Sequence, residues 1–193
     1  MSKNSFNLTN YNMIKSKKII SILFVLIVCF WGTFTIKANA GVFDTVKNAV
    51  TGHVDDIKSR FDKDRPSLAY SEENVIKIGT IDEDAIGQDF FHNSKGTVSI
   101  VSIDEVNYLV LSQNFDSSPG PDYHVYLSKD PKIIDESGFE QDKQIELGKL
   151  QYGNGFQFYK IPAAIDINKI NSFLLWCKKF GAYIGSADLK SNL

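Results

Sequence analysis

Cys177 lies in the stretch SFLLWCKKFGAYIG and is one of two cysteines in the chain. It is followed by Lys178 and Lys179, and neighbouring ammonium groups favour the thiolate, which is the reactive form of cysteine. The alternative role is structural, because a free cysteine is commonly a small buried hydrophobic residue. The residues around Cys177 therefore leave open a redox or ligand role and a core role.

The chain contains three histidines, and two of them, His92 and His124, are the candidate haem or ligand contacts. Both methionines precede residue 14, so a haem iron in the rest of the chain would need His/His or His/Cys ligation. Each histidine also has an ordinary explanation. His124 has the setting of a half-exposed strand residue, and His92 that of a loop or capping residue.

The sequence contains no HExxH, GxSxG or CxxC motif and no phosphate-binding glycine loop. A hydrolytic Cys–His pair has no local signature here either. Asp116 and Asp122 bracket a Pro-Gly-Pro turn, where turn chemistry explains them, and a calcium site would need more oxygen ligands at regular spacing. The motifs therefore indicate no particular class of enzyme, and no metal site is expected.

From about Val75 onward, apolar and polar residues alternate with a period of two. This alternation predicts the β-strands that would position the candidate residues. Residues 96–103 and 107–115 alternate around a short turn, which predicts a hairpin. Asn154-Gly155 lies between two further alternating segments and predicts a second one. Many short strands with little helix favour an all-β domain, an antiparallel sandwich or barrel.

The same alternation assigns side chains to faces. In residues 123–128, His124 shares a face with the other even-numbered residues. In the strand that ends at Cys177, the thiol shares a face with Phe173 and Leu175, while Leu174 and Trp176 share the other. Both faces are apolar, as in a strand covered on both sides. Residues 128–144 are acidic and are predicted to form a long surface loop.

The N-terminal segment carries an export signal. Three lysines at positions 15–18 precede an apolar run of 18 residues, Ile19–Ile36, and Ala38-Asn39-Ala40 follows. This pattern is typical of a secretory signal cut after Ala40, but the run is also long enough for an uncleaved anchor. Both alternatives place the rest of the chain outside the cytoplasm, in a periplasmic or extracellular location or anchored in the membrane by residues 19–36.

Cleavage would also remove Cys29 and leave Cys177 as the only thiol. No intramolecular disulfide could then form, which is unusual for an exported protein. Residues 1–40 hold five of the 21 basic residues and none of the 23 acidic ones, so the remainder has a formal charge of −7. This charge disfavours nucleic acid as a partner, and contact with a membrane is expected only through an uncleaved N-terminal segment.

Between the signal and the strands, residues 42–61 place apolar residues at spacings of three and four. This spacing predicts an amphipathic connecting helix, and the charged stretch with Pro66 that follows predicts a linker. The expected organisation is therefore a signal peptide or N-terminal apolar anchor helix at 1–40, a helix and linker at 41–74, and a β domain at 75–193.

Several segments together resemble the electron-transfer DM-thirteen domain family, which occurs near DOMON domains in animals and alone in bacteria. The matching stretches, in order, are FHNSKGTVSI, YLVLSQNFDSSPGPDYHVYLS, LGKL, GNGFQFYKIP and INSFLLWCKKFGAYIGSADL. The resemblance covers about residues 78–189 and implies an exported or membrane-anchored bacterial member with a β-sandwich of the Ig or DOMON type. It aligns the family's cysteine with Cys177, its histidine-glycine element with His92 and Gly96, and its Gly-Pro-Asp turn with residues 120–122.

Two functions are therefore expected as alternatives. The first is an extracytoplasmic redox or electron-transfer module centred on Cys177, as a bare thiol or as a ligand of a group such as haem, with an unidentified redox or surface protein as partner. The second is a binding or adhesion module without chemistry that uses the 116–122 and 128–144 loops, because function on sandwiches usually lies in loops.

Overall fold

The computed structural model describes residues 40–192, which form one α-helix and eleven strands. The predicted N-terminal apolar helix lies outside these residues. Short 3-10 turns occur at Glu72–Asn74, Glu136–Gly138 and Ile167–Lys169. The helix and strands are α1 (Ala40–Ser59), β1 (Val75–Thr80), β2 (Ser94–Lys95), β3 (Thr97–Ile103), β4 (Val106–Leu111), β5 (Asp116–Ser117), β6 (Tyr123–Ser128), β7 (Gln144–Lys149), β8 (Gln157–Lys160), β9 (Ser172–Cys177), β10 (Ala182–Asp188) and β11 (Lys190–Ser191).

The strands form an antiparallel β-sandwich, as predicted. One sheet has five strands in the order β11-β1-β3-β4-β8, and the other has four in the order β10-β9-β6-β7. A small pair, β2 with β5, lies beside them. Every pairing is antiparallel, so short turns and loops suffice to connect the strands.

The main core contains inward-facing residues of both large sheets. Ile100 and Leu109 from the five-stranded sheet are fully buried, as are Val125 and Phe173 from the four-stranded sheet. A second, smaller apolar cluster contains Leu174, Trp176 and Tyr126 from the opposite face of the four-stranded sheet. The four-stranded sheet is therefore covered on both faces, and the predicted two-sided burial of β9 is confirmed.

The predicted hairpin at residues 96–115 is confirmed as β3 and β4. Its turn consists of Asp104 and Glu105, both with positive φ, at 48° and 63°. Two successive residues with positive φ form a type I′ turn, and the twist of this turn matches that of the strands it joins. The pairing Ile103↔Val106 closes the hairpin directly at the turn.

The predicted hairpin at Asn154-Gly155 is wrong. The segments on its two sides, β7 and β8, belong to different sheets: β7 pairs with β6, and β8 pairs with β4. Gly155 does adopt a positive φ of 74°, but it does so in a crossover between sheets, where Asn154 forms an isolated bridge with Asp116. The dipeptide specified a turn, whereas the partner of each strand was decided by the packing of the two sheets.

Helix α1 lies close to its predicted position and docks on the sandwich through its C-terminal half. Gly52 approaches so near to Pro121 that a side chain at position 52 would clash with the proline backbone. Arg60 donates to Asp116 Oδ1 at 2.8 Å and to the carbonyl oxygen of Ser117. The described apolar residues in the C-terminal half of the helix, by contrast, are exposed, with Val54 at 43% and Ile57 at 47% of full accessibility.

The segment after α1 is more than a linker. Arg65 donates to the side-chain and backbone oxygens of Asn154, and its guanidinium lies 4.4 Å from the ring centre of Tyr152. A guanidinium over an aromatic face adds a cation–π attraction. Residues 60–65 are thus fixed to the loop between β7 and β8.

The 116–122 turn, which was predicted to be exposed, is largely covered, whereas the 128–144 segment is mostly exposed, as predicted, and is anchored by one buried apolar residue. In the 116–122 turn, Ser117, Gly120 and Pro121 are buried, because α1 and Arg60 lie against them. In the 128–144 segment, Ile133 is only 3% exposed and packs in the outer cluster of the four-stranded sheet. Within residues 40–192, no helix has the length and apolar character needed to cross a membrane.

Candidate functional site

Cys177 is the last residue of β9 and lies on the inner face of the four-stranded sheet. It is 1% exposed and belongs to the main core. Its cross-strand neighbours are Tyr123 on β6 and Ala182 on β10. The four residues 178–181 that link β9 to β10 follow it directly, and Gly181 enters β10 with a φ of 62°. The thiol is therefore in the core, at the edge next to a short surface turn.

Burial raises the pKa of the Cys177 thiol, since the charged thiolate is poorly solvated in an apolar environment. The backbone N–H groups of Phe180, Lys179 and Asp122 act in the opposite direction, while the Asp122 carboxylate adds to the increase. The net pKa lies above the ordinary value for cysteine, so the predicted activation by neighbouring lysines is wrong. The physical reason is that Lys178 extends away from the thiol and binds Glu146 at 3.1 Å.

Tyr123 is the aromatic neighbour of the thiol on the same face. Its hydroxyl lies 3.2 Å from Ser118 Oγ and donates to the carbonyl of Pro119 at 3.4 Å. Burial is the main cause that raises its pKa to about 12. Gly120 gives this ring its space, because a Cβ at position 120 would clash with it. The Gly-Pro-Asp turn therefore positions the tyrosine that packs beside Cys177.

His124 lies on the opposite, outer face of the sheet, as the alternation predicted. It pairs across the strands with Trp176. Its Nε2 is 3.0 Å from Asp122 Oδ1 and its Nδ1 is 2.6 Å from Glu146 Oε1. Burial alone would raise the pKa of Glu146, but Lys178 and His124 together hold it below its ordinary value. Both ring nitrogens of His124 are thus engaged with carboxylates.

His92 lies in the loop before β2 and contacts neither of these groups. Its backbone N–H donates to Asp89 Oδ1 at 2.6 Å, and its ring Nδ1 is 3.2 Å from Asp89 Oδ2. These contacts, with the backbone bond from His92 as the largest cause, lower the pKa of Asp89. Gly96, its partner in the family's element, has a φ of 119° and abuts Phe115. The histidine-glycine element of His92 and Gly96 therefore shapes the loop before β3.

These three side chains do not fit a haem site. Cys177 faces the filled core, while His124 is on the other face of the sheet with both nitrogens engaged. Cys177 also lines neither of the two cavities described here. Within residues 40–192, no group of three or more His, Cys, Asp or Glu side chains is arranged to hold a metal ion. Of the predicted roles for Cys177, the bare thiol fits this arrangement and ligation of a haem does not.

Two cavities lie elsewhere on the domain. The larger, about 880 Å³, is an open cleft between the segment after α1 and the loops around Asp116 and Asn154. The smaller, about 260 Å³, lies on the outer face of the four-stranded sheet and includes Trp176 and Gln144 in its walls. The sequence pattern did not identify Gln144 as a site residue. For Tyr123 it indicated only on which face of the strand the residue lies. The pattern pointed to Trp176, Lys178 and the acidic segment 128–144, which lie near this region, but nothing in it indicated that Phe139 would stack on Trp176 and form a cavity wall.

Comparison with known proteins gives one match. A search of curated proteins and a search of solved structures each find no match. The family model described as Electron transfer DM13 matches residues 87–189, which contain β2 to β10. The match thus covers Cys177, His92, His124 and the Gly-Pro-Asp turn, and the chain belongs to the Electron transfer DM13 family.

Proposed function

We propose that this domain is an extracytoplasmic electron-transfer module whose redox group is the thiol of Cys177. The reaction is thiol–disulfide exchange with a partner protein. The Cys177 thiolate attacks one sulfur of a partner disulfide, a mixed disulfide forms, and the other partner sulfur leaves as a thiolate that takes up a proton. One thiolate of a dithiol donor then attacks the Cys177 sulfur and releases the partner's second sulfur as a thiol. The donor's other thiolate attacks the donor sulfur in this new mixed disulfide, which closes the donor's disulfide and frees the Cys177 thiol. Two electrons have then passed from the donor to the first partner.

The observation that carries this proposal is the position of the thiol, which is buried at the end of β9 directly before the four-residue surface turn 178–181. The amides of Phe180, Lys179 and Asp122 all favour the thiolate over the thiol. In the closed domain their effect is smaller than that of burial. When the turn opens and water reaches the sulfur, the N–H groups of Lys179 and Phe180 move with the turn. The N–H group of Asp122, which directly precedes β6 and is not part of the turn, remains available to stabilise the anion.

Access to Cys177 requires only a local change. The turn that covers it is four residues long, and Phe180 within it is 58% exposed. A short exposed turn opens at a much lower free energy than the core strands do. We infer that the thiol reacts from such an open state while the sandwich remains folded.

The family membership and the N-terminal sequence support the remaining parts of the proposal. Electron transfer is the description of the family to which the chain belongs. Export is inferred from the lysines, apolar run and Ala-Asn-Ala sequence before residue 41. In an oxidising compartment, disulfides form and persist, so partners with exchangeable disulfides are to be found there.

An aromatic disulfide that releases a coloured thiolate tests the exchange reaction. The full-length protein with Cys29→Ser has Cys177 as its only thiol. We expect this protein to release one equivalent of coloured thiolate under native conditions and to retain the other half of the reagent in a mixed disulfide visible by mass spectrometry. The matched control is the same protein with Cys177→Ala, which should release none. Release only after addition of denaturant would show that Cys177 is a core residue and would overturn the proposal.

A further inference from the structure

The smaller cavity lies on the face of the four-stranded sheet that is opposite Cys177. Its floor is formed by β6, β7 and β9, and the segment before β7 closes one side. Its volume of about 260 Å³ is slightly below the range of roughly 300–1,000 Å³ that accommodates drug-sized ligands. A ligand of the size of a single six-membered ring would fill it.

One wall of this cavity is aromatic. Phe139 stacks on Trp176 with ring centres 4.2 Å apart and an angle of 10° between the planes. Tyr126 meets Phe139 edge to face at 5.6 Å. Trp176 is only 7% exposed, so this wall is held in place by packing. Aromatic faces carry partial negative charge and attract the slightly positive C–H groups of a ligand.

Another residue that lines the cavity, Gln144, contains an acceptor that has no hydrogen bond. Gln144 is 9% exposed and lines the cavity. Its Nε2 donates to the carbonyl of Gly138 at 3.5 Å, whereas its Oε1 is buried and has no partner among the described residues. Buried polar atoms in native proteins are nearly always paired. Rotation about the last side-chain torsion, which is broad for glutamine, would turn this oxygen into the cavity and pair it with a ligand that brings a hydrogen-bond donor.

The charges at the cavity rim cancel. Glu146 and Lys178 both line the cavity, and they form an ion pair of 3.1 Å with each other. The amide of Gln141, which also lines the cavity, provides both a donor and an acceptor. The site therefore has paired charges, amide groups that both donate and accept hydrogen bonds, and an aromatic wall. Such a site favours neither an anion nor a cation.

We propose that this cavity binds one ring of a neutral saccharide. The hydroxyl groups of a sugar each donate and accept, so one can donate to Gln144 Oε1 while others meet Gln141, Glu146 and Lys178. The C–H face of the ring lies against the aromatic wall. This site is separate from the Cys177 thiol, and its test does not depend on the redox proposal.

Saturation-transfer NMR on the full-length protein tests the site directly. The probes are glucose, galactose, mannose and N-acetylglucosamine, with glucosamine and glucuronate as charged counterparts of the same ring. We expect saturable transfer from the protein to at least one neutral sugar and weaker transfer to the charged ones. Gln144→Leu removes the acceptor and should weaken binding about tenfold, the effect of roughly one hydrogen bond.

Two further variants keep the test decisive. Gln113→Leu replaces an exposed glutamine in the other cavity and should leave binding unchanged. Gln141→Leu lies at an exposed position of the cavity rim, so it should weaken binding without affecting folding even if Gln144→Leu does not fold. Tighter binding of a tetramer of N-acetylglucosamine would identify a glycan chain as the ligand, and equal binding a free sugar; both support the proposal. No saturable transfer from any neutral sugar, stronger binding of a charged probe, or unchanged binding in Gln141→Leu and Gln144→Leu would overturn it.

Discussion

Cys177 and His124 lie on opposite faces of the same four-stranded sheet, although they are on adjacent strands. The register fixes this arrangement, because Cys177 is opposite Tyr123 and Trp176 is opposite His124. Successive side chains of a strand point to opposite faces. The thiol therefore lies in the core between the sheets, and the histidine lies in the network of Asp122, Glu146 and Lys178 outside it.

This separation predicts that the protein does not bind haem through these two residues. Addition of haemin to the full-length protein should give the absorption spectrum of unligated haemin, with no new Soret band. Stoichiometric formation of a shifted Soret band that is lost in Cys177→Ala or His124→Ala would contradict the arrangement described here.

The raised pKa of Cys177 predicts a specific dependence of stability on pH. The unfolded thiol ionises near its ordinary pKa of 9.0, whereas the folded thiol ionises only at higher pH. As the pH rises, the thiol therefore stays protonated in the folded state after it has ionised in the unfolded state. Its whole contribution to the free energy of unfolding is present below pH 9.0, and this contribution is lost as the pH rises above that value. The loss is at most about 1.4 kcal/mol per pH unit for one proton.

Urea unfolding at pH 8 to 11, with both proteins in the Cys29→Ser background, measures this effect. Several buried tyrosines also have raised pKa values. The informative quantity is therefore the difference in the free energy of unfolding between the protein with Cys177 and its Cys177→Ala variant. We expect the protein with Cys177 to lose stability more steeply above pH 9. Parallel curves for the two proteins would show that the thiol is not desolvated.

The close approach of Gly120 to the Tyr123 ring predicts that Gly120→Ala is destabilising. A methyl group at this position would overlap the ring, and overpacking of this kind costs about 1–3 kcal/mol. Pro119→Ala, at an exposed position of the same turn, is the control and should change the free energy of unfolding by less than about 1 kcal/mol. Equal effects of the two substitutions in urea unfolding would count against the packing described for Tyr123.

Arg60 is expected to hold α1 on the sandwich. Arg60→Met removes the bonds to Asp116 and Ser117 and should destabilise the docked helix by about 1–2 kcal/mol. Hydrogen exchange should then show faster exchange in residues 50–59 and unchanged protection in β3 and β4. Lys63→Met, an exposed cation of the same segment, should leave both unchanged. Protection of the helix that survives Arg60→Met would mean that other contacts dock it.

The sequence predicted those features that depend on local alternation. The two faces of β9 followed from a period of two, because a strand must present successive side chains to opposite sides. The β3–β4 hairpin followed for the same reason, since its strands are neighbours in sequence and in space. The face of His124 was also predicted correctly, although its two carboxylate partners were not.

Features that depend on contacts between distant segments could not be predicted in this way. The turn at Asn154-Gly155 joins strands of different sheets, and nothing in a local pattern distinguishes that case from a hairpin. The burial of residues 116–122 depends on Arg60, which is 56 positions before Asp116 in the chain. Lys178 is adjacent to Cys177 in sequence, but Glu146 on β7 directs its side chain to the other face.

The denaturant dependence of Cys177 labelling tests most directly whether this thiol is a redox group or a core residue. The rate of alkylation in the Cys29→Ser protein is measured across the native baseline in urea and compared with the global unfolding transition. If the turn at residues 178–181 opens locally, labelling in the baseline is fast relative to global unfolding and nearly independent of urea. A labelling rate that falls to zero in the baseline and follows global unfolding throughout would contradict a redox role for Cys177.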